Sequence, residues 1–333
     1  MGSFCRDENV AHFVAYASLV FREFSGRVVS WATFNEPSVS MFSGYLAGLY
    51  PPGRMFAFTT AGRYLKNVLA AHVDAYKAMK ALPGGDRARV GLVVHDITFV
   101  PRRRWYMHSR WIANWMTYWW GRDVVLDFMM TGQYEWRVPG RGVRVKYSNP
   151  GGRPPCDWLG INYYTRCVVG WRLNATHMPG EVMTDMPYPV YPRGLYNAIK
   201  KLSVLGIPMY ITETGIADRL DDRRKEWIRG YTRQIMEAIN DGFDVRGFMY
   251  WTLVDNLEWN FGYKYRFGLY RWDPDVGGVD RQLRESAKVL RYVYQTWPSD
   301  LQTMRDYAKR LSSFEEGEPE GGSRKGWKWR ALS

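Results

Sequence analysis

Short apolar runs alternate with amphipathic helical patterns along most of this chain, and this alternation constrains the fold more than any other feature. Runs of this length, bounded by Gly and Pro, are typical of buried parallel strands joined by helices. The predicted strands cover residues 28–34, 89–95, 157–163, 208–212 and 246–252. The predicted helices cover residues 10–24, 60–82, 193–205, 223–241 and 281–296. The pattern predicts an α/β protein built from consecutive β/α units.

The number of strands limits which α/β architecture is possible. A (β/α)8 TIM barrel has eight strands and carries its catalytic groups at their carboxyl ends. Five strands cannot close that ring, so we expect strands 4 to 8 of such a barrel, with the opening helix as the third helix of the complete fold. We assign residues 1–311 to this C-terminal portion of a barrel. Residues 312–333, rich in Gly, Glu and Ser, predict a flexible tail.

The net charge of +13 raises the question of a nucleic-acid partner. Most Lys and Arg residues are dispersed among aromatic and acidic ones, and the densest cluster, residues 102–105, fits a solvated loop. The Trp-rich segment 111–120 is too short and too polar for a membrane span. Its tryptophans recur every four residues, which predicts a buried amphipathic helix. We therefore expect no nucleic-acid partner and no membrane span.

The cysteine and glycine patterns exclude several other classes of protein. Three scattered cysteines form neither a disulfide framework nor a metal-binding spacing, and no Gly-rich phosphate loop is present. We expect no metal and no cofactor. The first residues contain no apolar signal region, which favours a cytoplasmic location. The sequence leaves the oligomeric state open.

Two of the predicted strands run directly into a glutamate. Residues 28–34 lead to Asn35 and Glu36, and residues 208–212 lead to Glu213. Carboxyl ends of parallel strands meet at one edge of the sheet, so the two side chains can face each other. Glycoside hydrolysis needs such a pair, one carboxyl protonated to assist the leaving oxygen and one ionised. For either glutamate alone, pairing with a nearby arginine is an equally good explanation.

Four motifs carry a resemblance to a known family. The segments WATFNEP (residues 31–37) and YITETG (residues 210–215) resemble the acid/base and nucleophile signatures of family 1 β-glycosidases. GINYY (residues 160–164) and YWTLVDNLEWNFGYKYRFGLYRWD (residues 250–273) resemble the sixth strand and the eighth strand with its loop. The resemblance extends over residues 10–297. It implies a retaining mechanism with Glu36 as acid/base and Glu213 as nucleophile.

The resemblance also implies seven substrate-binding residues. They are Asn35, Asn162, Tyr164, Trp251, Glu258, Trp259 and Phe267. Asn35 would donate to the sugar 2-hydroxyl, a contact that strengthens in the transition state. Asn162 and Tyr164 would reach the active centre, where Tyr164 would hydrogen-bond the nucleophile.

The remaining four residues would surround the sugar ring. Trp251 would form the floor, Glu258 and Trp259 would bind the 4- and 6-hydroxyls, and Phe267 would line the far side. A core-packing role remains open for Trp251 and for Phe267. The carboxylate of Glu258 favours a neutral glycone, because members acting on 6-phosphoglycosides lack this acid. Glu36 favours O-glycosides, since members that cleave thioglucosides typically have glutamine there.

The resemblance has clear departures. On their first three strands, family members carry a Gln and a His-Trp pair for the glycone, and an Arg close to the nucleophile. No segment of this sequence corresponds to those strands. We therefore expect Glu213 to lack a charge that keeps it ionised. Thr214 also stands where most members have Asn.

The leading hypothesis is a retaining β-glucosidase or β-galactosidase acting on a small β-glycoside. Transglycosylation to a sugar or lipid hydroxyl is a related alternative, because it differs only in the acceptor. A catalytically inactive, truncated remnant is the alternative from a different class.

Overall fold

The structure is a computed structural model that describes residues 3–138, 140, 142–273 and 281–297. Its α-helices are α1 (Glu8–Phe24), α2 (Pro37–Tyr45), α3 (Phe58–Lys80), α4 (Met107–Trp119), α5 (Asp123–Thr131), α6 (Pro192–Leu202), α7 (Arg224–Asn240) and α8 (Ser286–Thr296). Its longer strands are β1 (Ser30–Asn35), β2 (Arg89–Pro101), β3 (Gln133–Val138), β4 (Gly142–Ser148), β5 (Trp158–Val169), β7 (Met209–Thr214) and β8 (Val245–Tyr250). Three two-residue strands complete the set: β6 (Ala175–Thr176), β9 (Tyr270–Arg271) and β10 (Gln282–Leu283).

The central sheet contains five parallel strands in the order β1-β2-β5-β7-β8, with the short β6 antiparallel to β5. These are the five strands that the sequence predicts, but β2 and β5 each extend six residues beyond their predicted C-terminal ends. The fold is therefore a run of consecutive β/α units of a TIM barrel, as expected. All five carboxyl ends lie at the same edge of the sheet, which is where both glutamates are found.

The register of the sheet decides which side chains become neighbours at that edge. Asn35 of β1 is paired with Val93 of β2. Asn162 of β5 is paired with His95 of β2 on one side and with Glu213 of β7 on the other. Four adjacent strands thus bring polar side chains to one small area.

Helices cover the sheet because their apolar faces pack on it. In α3 the buried residues Ala61, Leu65, Leu69 and Val73 recur every four residues and join one large core with the strands. The strands contribute nearly continuous apolar runs, such as residues 90–94 of β2, since helices cover the sheet from outside. This packing supports the edge of the sheet at which both glutamates are found.

The structure corrects one sequence prediction about the Trp-rich segment. It does form a helix, α4, but Trp111 is 62% exposed, and Trp119 is the only one of the segment's four tryptophans that is buried. Each step of four residues rotates the side chain by about 40° beyond a full turn. The face of α4 that packs on the rest of the protein runs through Ser109, Ala113 and Met116, so Trp111 lies outside it.

Some elements were not predicted from the sequence. Helices α2 and α5 have only nine residues each, too few for a clear period, and the hairpin of β3 and β4 also escaped prediction. The predicted tail, residues 312–333, lies outside the described residues and stays a prediction. None of the described helices is long and apolar enough to cross a membrane.

Candidate active site

Glu36 occupies a strained turn between β1 and α2. Its backbone is left-handed, with φ of 49°, a conformation that non-glycine residues rarely adopt outside functional sites. The backbone N–H of Glu36 donates to the Val93 carbonyl at 3.0 Å, while its own carbonyl accepts from the first turn of α2. These bonds fix the backbone, so the side chain emerges at the carboxyl edge of the sheet.

Glu213 lies near the end of β7 and is held by two side chains. The Tyr164 hydroxyl donates to Oε2 of Glu213 at 2.9 Å, as the resemblance implied. The Asn35 amide lies 3.4 Å from Oε1. Close by, Gly215 allows β7 and β8 to approach, because an added Cβ would lie 2.0 Å from the Trp251 carbonyl oxygen. The end of β7 is thus fixed against both of its neighbours.

Asn162 connects the two halves of the site. Its Nδ2 donates to Oε1 of Glu36 at 2.8 Å and to Oδ1 of Asn35 at 3.0 Å. Its Oδ1 accepts from the Thr212 hydroxyl at 2.7 Å, which fixes the orientation of the amide. The structure therefore brings together Glu36, Glu213, Asn35 and Asn162, as the sequence predicts.

The two glutamates have opposite electrostatic environments. Burial raises the pKa of Glu36, but the nearby imidazole of His95 and the hydrogen bond from Asn162 outweigh it, so the net pKa is lowered. Burial, followed by repulsion from the Glu36 carboxylate, raises the pKa of Glu213 to about 7, although Tyr164 acts in the opposite direction. The surroundings thus favour the protonated form of Glu213 and the ionised form of Glu36.

Besides Tyr164, the charge of His95 acts to lower the pKa of Glu213. Within the described part of the chain, neither the hydrogen bonds nor the ion pairs of Glu213 involve Lys or Arg. A nearby arginine would stabilise the carboxylate and lower its pKa.

The segment after β8 carries four of the predicted sugar-binding residues, Trp251, Glu258, Trp259 and Phe267. Trp251 donates from Nε1 to Oε1 of Glu258 at 3.2 Å, so the indole ring and the carboxyl group are held side by side. Glu258 is only 9% exposed, and burial raises its pKa despite the hydrogen bond from Trp251. Trp259 is 69% exposed, and its ring lies 5.4 Å from that of Tyr50.

Phe267 takes the packing role that the sequence left open. Its side chain is buried, and its ring meets that of Tyr164 edge-on at 6.1 Å. Phe267 therefore supports the tyrosine that holds Glu213. Among the described residues, no group of three or more His, Cys, Asp or Glu side chains could hold a metal ion.

Comparison with known proteins agrees with this arrangement. The profile of Glycosyl hydrolase family 1 matches residues 1–297. The chain belongs to this family. A β-galactosidase from Saccharolobus solfataricus is 30% identical over 302 residues, which cover 85% of this chain and 58% of that protein. The chain thus spans little more than half the length of this family 1 relative.

Solved family 1 structures show the same fold. A β-glycosidase from Pyrococcus horikoshii is 33% identical with a TM-score of 0.74, and the match covers 91% of this chain and 67% of that one. A β-glucosidase from Thermotoga maritima in complex with deoxynojirimycin is 25% identical with a TM-score of 0.76, covering 88% and 69%. The half-barrel of this chain therefore superposes on the matching part of family 1 barrels.

Sequence reasoning missed three residues of this family 1 site. Tyr50 lies near enough to the carboxylates of Glu36 and Glu258 that both raise its pKa, after the larger effect of burial. Thr212 orients Asn162. His95 lies 3.3 Å from Glu36. His95 could have been found, because it ends a predicted strand just as Glu36 and Glu213 follow theirs.

A buried ion pair fastens the sugar-binding loop of this family 1 member. Arg284 binds Asp255 in a bidentate manner, with N–O distances of 3.0 and 2.9 Å, and both side chains are almost fully buried. Asp255 also accepts from the backbone N–H of Gly268 at 2.8 Å and of Trp272 at 3.3 Å. The loop is thereby tied to the start of the last helix.

We expect Asp255→Ala to destabilise the protein by about 3–5 kcal/mol, because it leaves the buried Arg284 charge uncompensated. Chemical denaturation measures the change. The matched control is Asp244→Ala, whose partner Arg246 is 42% exposed at the surface and whose loss should cost about 1 kcal/mol or less. Equal losses in the two variants would show that the buried pair does not fasten the loop.

Proposed function

We propose that the protein is a retaining β-glycosidase that hydrolyses O-linked β-glucosides or β-galactosides. The observation that carries the proposal is the hydrogen-bonded connection between Glu36 and Glu213 through Asn162 and Asn35. Two carboxyls at the same edge of the sheet, with pKa values separated by their surroundings, are the requirement for this chemistry.

In the first step, Glu213 attacks the anomeric carbon while Glu36 protonates the departing oxygen. The bond from the anomeric carbon to the aglycone breaks, and its electrons remain on the leaving oxygen, which takes the proton. A glycosyl ester on Glu213 results. Tyr164 keeps the attacking oxygen oriented, and Asn35 is free to turn its amide toward the sugar 2-hydroxyl.

In the second step, Glu36 acts as a base. Its carboxylate removes a proton from water, the water oxygen attacks the anomeric carbon, and the ester bond to Glu213 breaks. Two displacements restore the original configuration.

The first step needs the proton on Glu36, whereas the free site favours it on Glu213. Both arrangements contain one proton, so the exchange between them does not depend on pH, and the two groups titrate as a pair. A bound glycoside favours the productive arrangement. Its glycosidic oxygen accepts a hydrogen bond from protonated Glu36, and the positive charge developing at the anomeric carbon stabilises ionised Glu213.

The proposed glycone is a neutral hexose. The Trp251–Glu258 pair offers an apolar ring surface beside a carboxyl that can bind hydroxyls. A phosphorylated sugar would meet repulsion from Glu258. The names of the relatives, a β-galactosidase and a β-glucosidase, support this class of substrate.

Trapping of the glycosyl ester tests the proposal. A 2-deoxy-2-fluoro β-glucoside with a dinitrophenyl leaving group slows the second step, so the ester should accumulate on the peptide that contains Glu213, where mass spectrometry detects it. Glu213→Gln is the control that should remain unlabelled. Labelling of another residue would contradict the assignment of Glu213 as the nucleophile. Absence of any labelling would contradict the proposal and favour the inactive remnant.

Transglycosylation uses the same glycosyl ester with a different acceptor. Product analysis with an added alcohol distinguishes transglycosylation from hydrolysis, because a transferase forms the alkyl glycoside in preference to the free sugar.

A further inference from the structure

His95 lies beside the acid/base carboxyl and has no role in the reaction as described so far. It is paired in register with Asn162, near the carboxyl ends of the central strands. Its Nδ1 lies 3.3 Å from Oε1 of Glu36, and the side chain is 15% exposed. That nitrogen is fully buried and makes no well-aligned hydrogen bond to any described residue. Glu36 is therefore its principal polar neighbour.

The contacts of Glu36 are divided unequally between its two oxygens. Oε1 accepts from Asn162 at 2.8 Å and also faces His95. Within the described ranges of the chain, no donor is directed at Oε2. This difference makes Oε2 the oxygen that can hold the catalytic proton toward a substrate, while Oε1 is occupied by the protein.

We infer that His95 is a positioning residue for Glu36, whose imidazolium fixes Oε1 and stabilises the carboxylate formed when Oε2 gives its proton to the leaving oxygen. This inference rests on the proposed function of Glu36. In that step the Oε2–H bond breaks, an O–H bond forms on the leaving oxygen, and the negative charge left on Glu36 faces the cation. No further reactant is needed.

The surroundings of His95 favour its charged form. Burial alone would lower its pKa, but the carboxylates of Glu36, Asp96 and Glu213 outweigh burial and raise it. The groups that face this pair from the neighbouring elements are Asp96, Arg122, Glu213, Tyr50 and Tyr164. Asp96 stays at its place because Arg122 binds it at 2.6 Å.

The sign of the pH effect follows from these charges. The cation lowers the pKa of Glu36, so its removal raises that pKa and keeps Glu36 protonated to higher pH. The alkaline limb of kcat/KM, which reports the loss of the acid proton, should then move to higher pH. A merely structural histidine would change kcat/KM by the same factor at every pH.

The first test measures that limb in His95→Asn, which keeps a polar side chain of similar size but removes the charge. We expect the apparent pKa of the alkaline limb to increase by about 1 to 3 pH units, as for removal of one close charge. The exposed His12→Asn is the matched control and should leave the profile unchanged. An unmoved limb in His95→Asn would overturn the inference.

The second test needs no turnover. NMR follows the imidazole titration of His95, one of five histidines, in the wild-type protein and in Glu36→Gln. Loss of the carboxylate should bring the titration of His95 to lower pH, since Glu36 is the largest favourable charge on it. An identical midpoint in both proteins would overturn the pairing. A shifted midpoint in a protein that never forms the glycosyl ester would refute the proposed function and leave the pairing intact.

Discussion

Glu213→Gln should abolish turnover of an aryl β-glucoside, lowering kcat by about four to six orders of magnitude, the range seen when a covalent nucleophile is lost. The amide has nearly the shape of a protonated carboxyl, which is the form that Glu213 favours below pH 7. Fold and sugar binding should therefore survive, while the attacking carboxylate is gone. Steady-state kinetics with a dinitrophenyl glucoside measure the loss.

The control for this prediction is Glu226→Gln on the outer surface of α7, where the side chain is 56% exposed and pairs with Arg229. It should keep wild-type activity. Glu213→Gln should also lose no stability at pH 8, because ionising a group whose pKa is raised to about 7 costs the folded state free energy above that pH. If Glu213→Gln kept a tenth of the wild-type rate, Glu213 would not be the nucleophile.

The strands and both glutamates could be predicted because they depend on local patterns. A continuous apolar run that ends in a carboxylate is visible in the sequence around Glu36 and around Glu213. The rule that parallel strands place their carboxyl ends together then brings the pair to one edge. The bond from Tyr164 to Glu213 could be predicted only through the family resemblance, since nothing local in GINYY specifies it.

The contact between His95 and Glu36 depends on quantities that a sequence does not display. It requires the register of β1 against β2, with an irregularity between Ala32 and Asn35, and the left-handed backbone of Glu36. The location of the proton is similarly non-local, because burial and repulsion from the Glu36 carboxylate together raise the pKa of Glu213. Exposure of Trp111 also escaped prediction, because the period alone does not show that the packed face of α4 runs through Ala113 and Met116.

Glu36→Ala should separate substrates according to their leaving groups. A dinitrophenolate leaves without a proton, so formation of the glycosyl ester from the dinitrophenyl glucoside should stay near the wild-type rate. An alkyl glucoside needs protonation and should lose about 10²- to 10⁴-fold. Because Glu36 also activates water, the ester should accumulate, and a pre-steady-state burst of dinitrophenol measures this.

The left-handed backbone of Glu36 calls for a second variant. Alanine keeps the strain at a φ of 49°, whereas glycine adopts this conformation without it. Agreement between Glu36→Ala and Glu36→Gly would assign the loss to the missing carboxyl rather than to the turn. Added azide, which needs no base, should release the ester from either variant as the β-glycosyl azide. Equal losses for activated and unactivated substrates would contradict the assignment of Glu36, because only a proton donor makes the rate depend on the leaving group.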